Sequence, residues 1–145
     1  MTERSVAIVI LGGGSGGYAA AIRASELGKR VVLIEKDKVG GTCLHRGCIP
    51  TKALLHAAEV ADHVRSAGTV GVTAQLQGID PAGVTAYREG IVAKKYKGLE
   101  GLLKARGIEV VAGSGRLMSD GAVAVGDAIY RGADVVLATG SYSRT

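Results

Sequence analysis

Two cysteines, Cys43 and Cys48, are the only thiols in the chain, and they lie five positions apart in the stretch GGTCLHRGCIPTK. Thiols at this spacing can bind a metal ion, form a structural cross-link, or form a disulfide that opens and closes by thiol exchange. Each possibility needs different surroundings, so the neighbouring residues discriminate among them.

A metal site is the first possibility. Structural zinc usually takes four Cys or His ligands. Cys43, His45 and Cys48 could supply three of them, with His56 or His63 as a distant fourth. The close Cys-x-x-Cys pair typical of such sites does not occur. We therefore predict no metal site, and we interpret the histidines as one exposed loop residue and two half-buried helix residues.

A disulfide needs a distorted backbone at this spacing. In a regular helix, residues five apart have α-carbons about 8.6 Å apart, whereas a disulfide requires roughly 4.4–6.8 Å. Gly47 and Pro50 permit the distortion. The pair would precede a helix from Thr51 to near Gly68. The helix N-terminus and Lys52 both favour a thiolate, so the pattern predicts a redox-active disulfide.

A second pattern lies at the start of the chain, where Gly12, Gly14 and Gly17 have G-x-G-x-x-G spacing. An apolar run, Val6 to Leu11, precedes the glycines and predicts a buried parallel strand. A helix from Ser15 to Leu27 follows, and RVVLIE forms a second strand that ends at Glu35. Such a turn binds a pyrophosphate at the helix N-terminus, and the acid can accept a ribose hydroxyl. The spacing predicts a dinucleotide site and leaves open whether FAD or NAD occupies it.

The composition is that of one ordinary domain. The chain has 145 residues, 47% of them hydrophobic, with 23 glycines, no Phe, no Trp and a net charge of +5. The basic residues between Arg88 and Arg106 are interspersed with apolar ones, so we interpret them as a solvated helix face rather than a surface for nucleic acid or an acidic partner. No apolar run reaches the roughly 18 residues of a membrane span. A cytoplasmic location is the resulting expectation, and a purely structural disulfide would be unusual there.

The second half continues the α/β pattern. Asp80 predicts a helix N-cap and Pro81 the first helical position, with the helix ending near Arg106. We attribute the glycines in this helix to close packing. GIEVVAG predicts a third parallel strand, the short segments around Asp120-Gly121 and Gly126-Asp127 predict an antiparallel meander, and ADVVLATGS predicts a last strand.

GGTCLHRGCIPTK resembles the active-site signature of the class I pyridine nucleotide–disulfide oxidoreductases. Within that family, CIPTKALLHAAEVAD is most similar to the dihydrolipoamide dehydrogenase branch, with glutathione- and mercuric-reductase-like members as the alternative. The resemblance extends to VVLATGS near the end. It implies a Rossmann-like FAD-binding domain with a central parallel sheet and a small antiparallel meander. Two positions depart from the commonest family form, because Ser15 replaces a frequent Pro and LHR replaces Leu-Asn-Val.

The resemblance also implies roles for individual residues. Cys48 matches the sulfur beside the flavin, Cys43 the sulfur that exchanges with substrate, and Lys52 the lysine near flavin N5, so these three are the expected catalytic residues. The expected FAD contacts comprise these three and the residues of five stretches: Gly12, Gly14, Ser15, Gly16 and Gly17; Glu35 and Lys36; Gly41 and Thr42; Gly113 and Gly115; Ala138, Thr139 and Gly140.

The family enzyme is about three times this length, so we expect residues 1–145 to form only the N-terminal portion of the FAD domain. No second G-x-G-x-x-G follows residue 17, and none of the three histidines matches the family's catalytic His-Glu pair. The NAD-binding and dimerisation domains are therefore expected to be absent. In the full enzyme the resemblance implies NAD as second cofactor, lipoyl domains of 2-oxo acid dehydrogenase complexes as partners, and a homodimer. Neither nucleic acid nor a membrane is an expected partner.

Overall fold

A computed structural model describes residues 2–142 of the chain. The polypeptide divides into two compact units, one formed by Met1–Gly41 with Tyr96–Thr145 and the other by Thr42–Lys95. Within the described residues the elements follow in the order β1 (Thr2–Leu11), α1 (Ser15–Glu26), β2 (Val31–Glu35), α2 (Gly41–His45), α3 (Cys48–Ser66), a 3₁₀ turn (Ala67–Val70), α4 (Pro81–Ala105), β3 (Glu109–Ala112), β4 (Gly115–Leu117), β5 (Val123–Val125) and β6 (Ala128–Leu137).

The first unit contains one sheet in the order β3-β2-β1-β6-β5-β4. The strands β3, β2, β1 and β6 are parallel to their neighbours, whereas β5 pairs antiparallel with both β4 and β6. The predicted α/β class, the three parallel-type strands and the meander are thereby confirmed. β1, β2 and β6 end in register, with Leu11 opposite both Ile34 and Leu137, so their carboxyl ends meet at one edge.

The sequence prediction was wrong in separating the last meander strand from the final strand. β6 is one continuous strand of ten residues. Its first residues pair with β5 on one side, and its whole length pairs with β1 on the other. Pairing with β1 begins already at Thr2, so the polar start of β1 supplies the hydrogen-bonding edge that keeps β6 extended.

The core lies on both faces of the sheet, as parallel strands require. On one face Ile10 and Leu33 pack with Ala21 and Ala24 of α1 and with Leu103 of α4. On the other face Val9, Val32 and Ile34 pack with the meander, through Val123 and Tyr130 among other residues. Neighbouring residues of β1 and β2 thus bury opposite faces, which explains the continuous apolar runs.

In the second unit α3 begins at Cys48 rather than at the predicted Thr51. Pro50 is the third helical residue, where its missing N–H would have had no partner within the helix. The amide of Thr51 then donates to the carbonyl of Gly47 at 3.1 Å. The backbone break lies at Arg46 and Gly47, between α2 and α3, and not at Pro50.

Asp80 caps α4 as predicted, because its Oδ1 accepts the Ala82 amide at 3.0 Å. The packing explanation for the glycines of this helix is wrong at most positions. A Cβ at Gly90, Gly98 or Gly101 would have no described atom of the chain within 4 Å outside the helix backbone. Only at Gly83 is the space occupied, by the Asp80 carboxylate at 2.6 Å.

Asp120, in the turn between β4 and β5, accepts two hydrogen bonds that contribute to the stability of the meander. Asp120 accepts a hydrogen bond from Arg131 of β6 at 2.7 Å and another from the Ala122 amide at 3.2 Å. The Arg131 bond, followed by the Ala122 bond, lowers the pKa of Asp120 below its usual 3.8. A carboxyl group with a depressed folded-state pKa stabilises the fold above the unfolded-state pKa, and that stabilisation is lost as the pH falls through the folded-state pKa.

We therefore expect Asp120→Asn to lower the urea midpoint at neutral pH, and the difference from the parent chain to shrink below about pH 4. The comparison is made by urea unfolding between about pH 7 and pH 2. Asp127→Asn, in the β5–β6 turn, is the control because it leaves both Asp120 contacts intact. A difference that stays constant down to the lowest pH would contradict this role of Asp120.

Candidate functional site

Only glycine fits at Gly12, in the loop between β1 and α1, and at Gly17, in the first turn of α1. Gly12 has φ of 106°, and a Cβ there would lie 2.2 Å from the carbonyl oxygen of Ala138. A Cβ at Gly17 would lie 1.8 Å from the carbonyl oxygen of Gly12. These are the tight turn and the close helix–strand approach that the G-x-G-x-x-G spacing predicted.

The middle glycine of the motif, Gly14, is the N-cap of α1, and it has no side-chain cap. The first turn of α1 contains no acidic residue, so its amides and the positive end of the helix dipole are available to an anion. Ser15 and Gly16 of that turn are exposed. Gly41 approaches this N-terminus from the loop after β2, where a Cβ would lie 2.7 Å from the Gly14 α-carbon.

Glu35 ends β2 and is half-buried. Its Oε2 accepts the Gly13 amide at 2.7 Å and its Oε1 accepts the Asp37 amide at 2.9 Å. A carboxylate has about four lone-pair sites, so capacity remains for the ribose hydroxyl predicted from the sequence. That ribose contact stays a prediction. Lys36, the next residue, is exposed.

The loops after β3 and β6 lie at the same edge of the sheet. The Gly113 amide donates to the Glu35 carbonyl at 2.9 Å, and the Ala138 amide donates to the Leu11 carbonyl at 2.8 Å. Thr139 and Gly140 follow and are exposed. The structure thus brings together the residues of the first unit that the resemblance selected, apart from Gly115. A Cβ at Gly115 would meet the core side chains Leu11 and Ile34 at 2.4 and 3.0 Å, so packing explains that glycine.

Sequence reasoning missed three residues of this edge. The Gly13 carbonyl accepts the Gly40 amide at 2.8 Å, and a Cβ at Gly13 would lie 3.1 Å from Val39. Val39 is buried. One signal was available, because Val39 is an isolated apolar residue between charged residues and a glycine pair.

The thiol segment lies in the second unit, apart from the first residue of α2. Cys43 is half-buried within α2, and Cys48 is exposed as the first residue of α3. The helices α2 and α3 are separated by Arg46 and Gly47. Gly47 has φ of −127° and ψ of −108°, so its backbone is not helical. The predicted break between the cysteines is confirmed. Lys52 lies four residues after Cys48 on the same helix, so both belong to one face of its N-terminal turn.

Neither a metal site nor a membrane-spanning helix occurs within residues 2–142. No group of three or more His, Cys, Asp or Glu side chains is placed to hold a metal ion. No helix in the described part is both long enough and apolar enough to cross a membrane.

The mainly parallel sheet, the glycine-built loops at its carboxyl edge and the open N-terminus of α1 define a dinucleotide-binding α/β protein. Residues 6–145 match the family model described as pyridine nucleotide-disulphide oxidoreductase. The chain belongs to this family.

Several curated relatives are dihydrolipoyl dehydrogenases. The chain is 44% identical to dihydrolipoyl dehydrogenase 2 of Haloarcula marismortui over 81% of its own length and 25% of the relative. It is 41% identical to the Thermus scotoductus enzyme over 92% of its own length and 29% of the relative. The chain therefore spans between a quarter and a third of these proteins.

A solved structure supports the same fold. The flavoprotein disulfide reductase RclA of Escherichia coli, in its Cu(II) complex, superposes with a TM-score of 0.80 at 25% identity. The match covers 98% of this chain and 30% of RclA. The predicted fold class, a Rossmann-like parallel sheet with a small meander that is incomplete relative to the full-length family fold, is confirmed. A family defined by flavoprotein disulfide oxidoreductases implies FAD as the cofactor.

The contact between Gly41 and Gly14 yields a prediction. Gly41→Ala puts a methyl group against the backbone at the N-terminus of α1, and overpacking of this kind costs about 1–3 kcal/mol. We expect FAD to bind roughly tenfold to a hundredfold more weakly, as measured by quenching of flavin fluorescence. Gly28→Ala is a matched control, because φ is 72° at Gly28 and 60° at Gly41 but no described atom lies within 4 Å of a Cβ at Gly28. Equal losses in the two variants would show that backbone strain alone is responsible.

Proposed function

We propose that this chain is the FAD-binding and thiol-redox portion of a dihydrolipoyl dehydrogenase. The observation that carries the proposal is the joint presence of two features in one chain. One is the glycine-built edge at the carboxyl ends of β1, β2, β3 and β6, and the other is the Cys43–Cys48 pair across a helix break. The names of the relatives support the choice of dihydrolipoyl groups as the substrate class.

The residues at the carboxyl edge of the sheet have contacts that suit the pyrophosphate and a ribose of FAD. The amides at the start of α1 and the close backbone around Gly12 and Gly14 suit the pyrophosphate. Glu35 has lone pairs left for a ribose hydroxyl. The remaining contacts proposed for the cofactor are Ser15, Gly16, Gly17, Lys36, Gly41, Thr42, Cys43, Cys48, Lys52, Gly113, Ala138, Thr139 and Gly140. When bound, FAD supplies a two-electron acceptor.

The thiols carry the exchange with substrate. A thiolate of a dihydrolipoyl group attacks Cys43 of the Cys43–Cys48 disulfide, forming a mixed disulfide and releasing Cys48 as a thiolate. The second substrate thiol, after losing its proton, attacks the substrate sulfur of the mixed disulfide and releases Cys43. The products are lipoamide and the reduced cysteine pair, so two electrons have moved from substrate to protein.

The complete enzyme would need parts that the proposal assigns to further domains. These are a nicotinamide site for NAD, a general base, a homodimer interface and a surface for the lipoyl domains of 2-oxo acid dehydrogenase complexes. A cytoplasmic location is part of the same proposal. We expect the chain alone to be catalytically incompetent in NAD-dependent turnover, because the sequence contains one G-x-G-x-x-G motif.

A second candidate function is a stand-alone FAD-binding or thiol-redox module. It is favoured by the single G-x-G-x-x-G motif of the sequence, since no second copy that could bind a nicotinamide cofactor follows residue 17. Turnover discriminates between the candidates. Lipoamide activity of the chain joined to its natural remainder, lost on Cys48→Ser, supports the enzyme portion, whereas NAD-dependent turnover by the chain alone contradicts both. A member of the glutathione- or mercuric-reductase-like branches would instead prefer a glutathione or mercuric substrate over lipoamide.

The test on this chain is its visible spectrum with FAD before and after one equivalent of dihydrolipoamide. We expect a long-wavelength band from charge transfer between the Cys48 thiolate and the flavin. Cys43→Ser should show the band without reductant, because Cys48 then has no disulfide partner in the chain, and Cys48→Ser should show none. The two variants are matched in size and chemistry. A band in Cys48→Ser would contradict the assignment of the sulfurs, and a free-flavin spectrum in all three chains would favour a fragment that needs its remainder.

A further inference from the structure

Glu35 makes more contacts with the chain itself than a residue reserved for a ligand would need. Its two carboxylate oxygens accept different backbone amides, Gly13 at 2.7 Å and Asp37 at 2.9 Å. Gly13 belongs to the loop after β1, and Asp37 to the loop after β2. One side chain therefore holds together two loops at the carboxyl edge of the sheet, where β1, β2, β3 and β6 end.

The backbone of Glu35 adds a third loop. Its carbonyl accepts the Gly113 amide at 2.9 Å, immediately after β3 ends at Ala112. Gly113 has φ of 154°, a conformation that favours glycine. The loops following β1, β2 and β3 thus all hydrogen-bond to the same residue at the sheet edge.

Gly13 has little freedom to move away from Glu35. Its carbonyl accepts the Gly40 amide at 2.8 Å. A Cβ at Gly13 would lie 3.1 Å from both the Glu35 Cβ and the Val39 Cγ1, so the α-carbon is enclosed by these side chains. Gly13 also stands between Gly12 and Gly14, the two glycines that shape the turn before α1. The position of Gly13 therefore decides where the first amides of α1 point.

We propose that Glu35 is a positioning residue that fixes the loops after β1, β2 and β3 before any dinucleotide arrives. The inference rests on the proposed FAD site and adds a role that requires no ligand contact. Hydrogen bonds to a carboxylate are roughly twice as strong as those between neutral groups. Both donors here are backbone amides, one in the loop after β1 and one in the loop after β2.

The alternative is that Glu35 serves only as an acceptor for the ribose of the adenosine half. The two roles differ in what neutralisation does to the free protein. Glu35→Gln keeps the length of the side chain but replaces one acceptor oxygen by an NH₂ group, which cannot accept from an amide. A positioning role predicts a looser loop without ligand, whereas a ribose contact predicts no change until the ligand binds.

The decisive experiment is amide hydrogen exchange by NMR on the ligand-free 145-residue chain. In Glu35→Gln we expect the Gly13 or the Asp37 amide to exchange at least about tenfold faster than in the parent chain, while the Val32 amide in the buried centre of β2 keeps its rate. Glu109→Gln is the matched control, since Glu109 lies on the adjacent strand and pairs with Arg4. Unchanged exchange at both Gly13 and Asp37 in Glu35→Gln would overturn the proposal.

A second variant covers the case in which Glu35→Gln unfolds the chain. Glu35→Asp keeps the charge but is one methylene shorter, so it cannot reach both amides in their present positions. Faster exchange at either amide in this variant, with Val32 still protected, supports the positioning role. Unchanged exchange at both amides overturns it.

Flavin titrations separate this inference from the proposed function. FMN has the phosphate but lacks the adenosine, so a ribose-only role for Glu35 predicts that Glu35→Gln weakens FAD and leaves FMN unchanged. The positioning role predicts that both ligands bind more weakly. If neither ligand binds the parent chain, the proposed FAD site fails, while the exchange rates of Gly13 and Asp37 still decide the role of Glu35.

Discussion

The carboxyl edge of the sheet depends on close backbone contacts at two glycines, where there is no room for a side chain. At Gly17 a Cβ would lie 1.8 Å from the Gly12 carbonyl oxygen, and at Gly12 a Cβ would lie 2.2 Å from that of Ala138. These contacts bring α1 against β1 and bring the end of β6 against the turn. Because the sheet carries β1 between β2 and β6, the same turn lies beside all three carboxyl ends. Any larger residue would separate the helix N-terminus from the sheet edge that it serves.

Local sequence patterns predicted most strands and turns of the first unit, because each pattern reflects a requirement that residues close in sequence can meet. Apolar runs at β1 and β2 reflect burial on both faces, and both strands contribute residues to each face of the core. The G-x-G-x-x-G spacing reflects two steric requirements that the structure contains. Asp80 before Pro81 predicted the start of α4 because a cap is satisfied within one turn. The break between the cysteines was predicted by comparing helix geometry with the α-carbon distance that a disulfide requires.

The remaining features depend on partners distant in sequence. β6 is continuous because β1 offers it an edge along its whole length, and nothing near residue 132 reveals that edge. Glu35 was predicted from its distance to the glycines, but its bonds to Gly13 and Asp37 require the loop geometry. The glycines of α4 at 90, 98 and 101 have open space around them, so their presence follows neither from helix propensity nor from packing in the described part of the chain.

The central claim is that the carboxyl edge of the sheet in the first unit is a dinucleotide site that already has its binding geometry. Titration of the ¹⁵N-labelled chain with FAD, followed by amide chemical shifts, tests this most directly. The account predicts saturable shifts concentrated at residues 12–17, 35–41, 113 and 138–140, with little change at the opposite end of the sheet around Glu3 and Glu109. Saturable shifts confined to other surfaces, or no saturable shift at any FAD concentration, would contradict it.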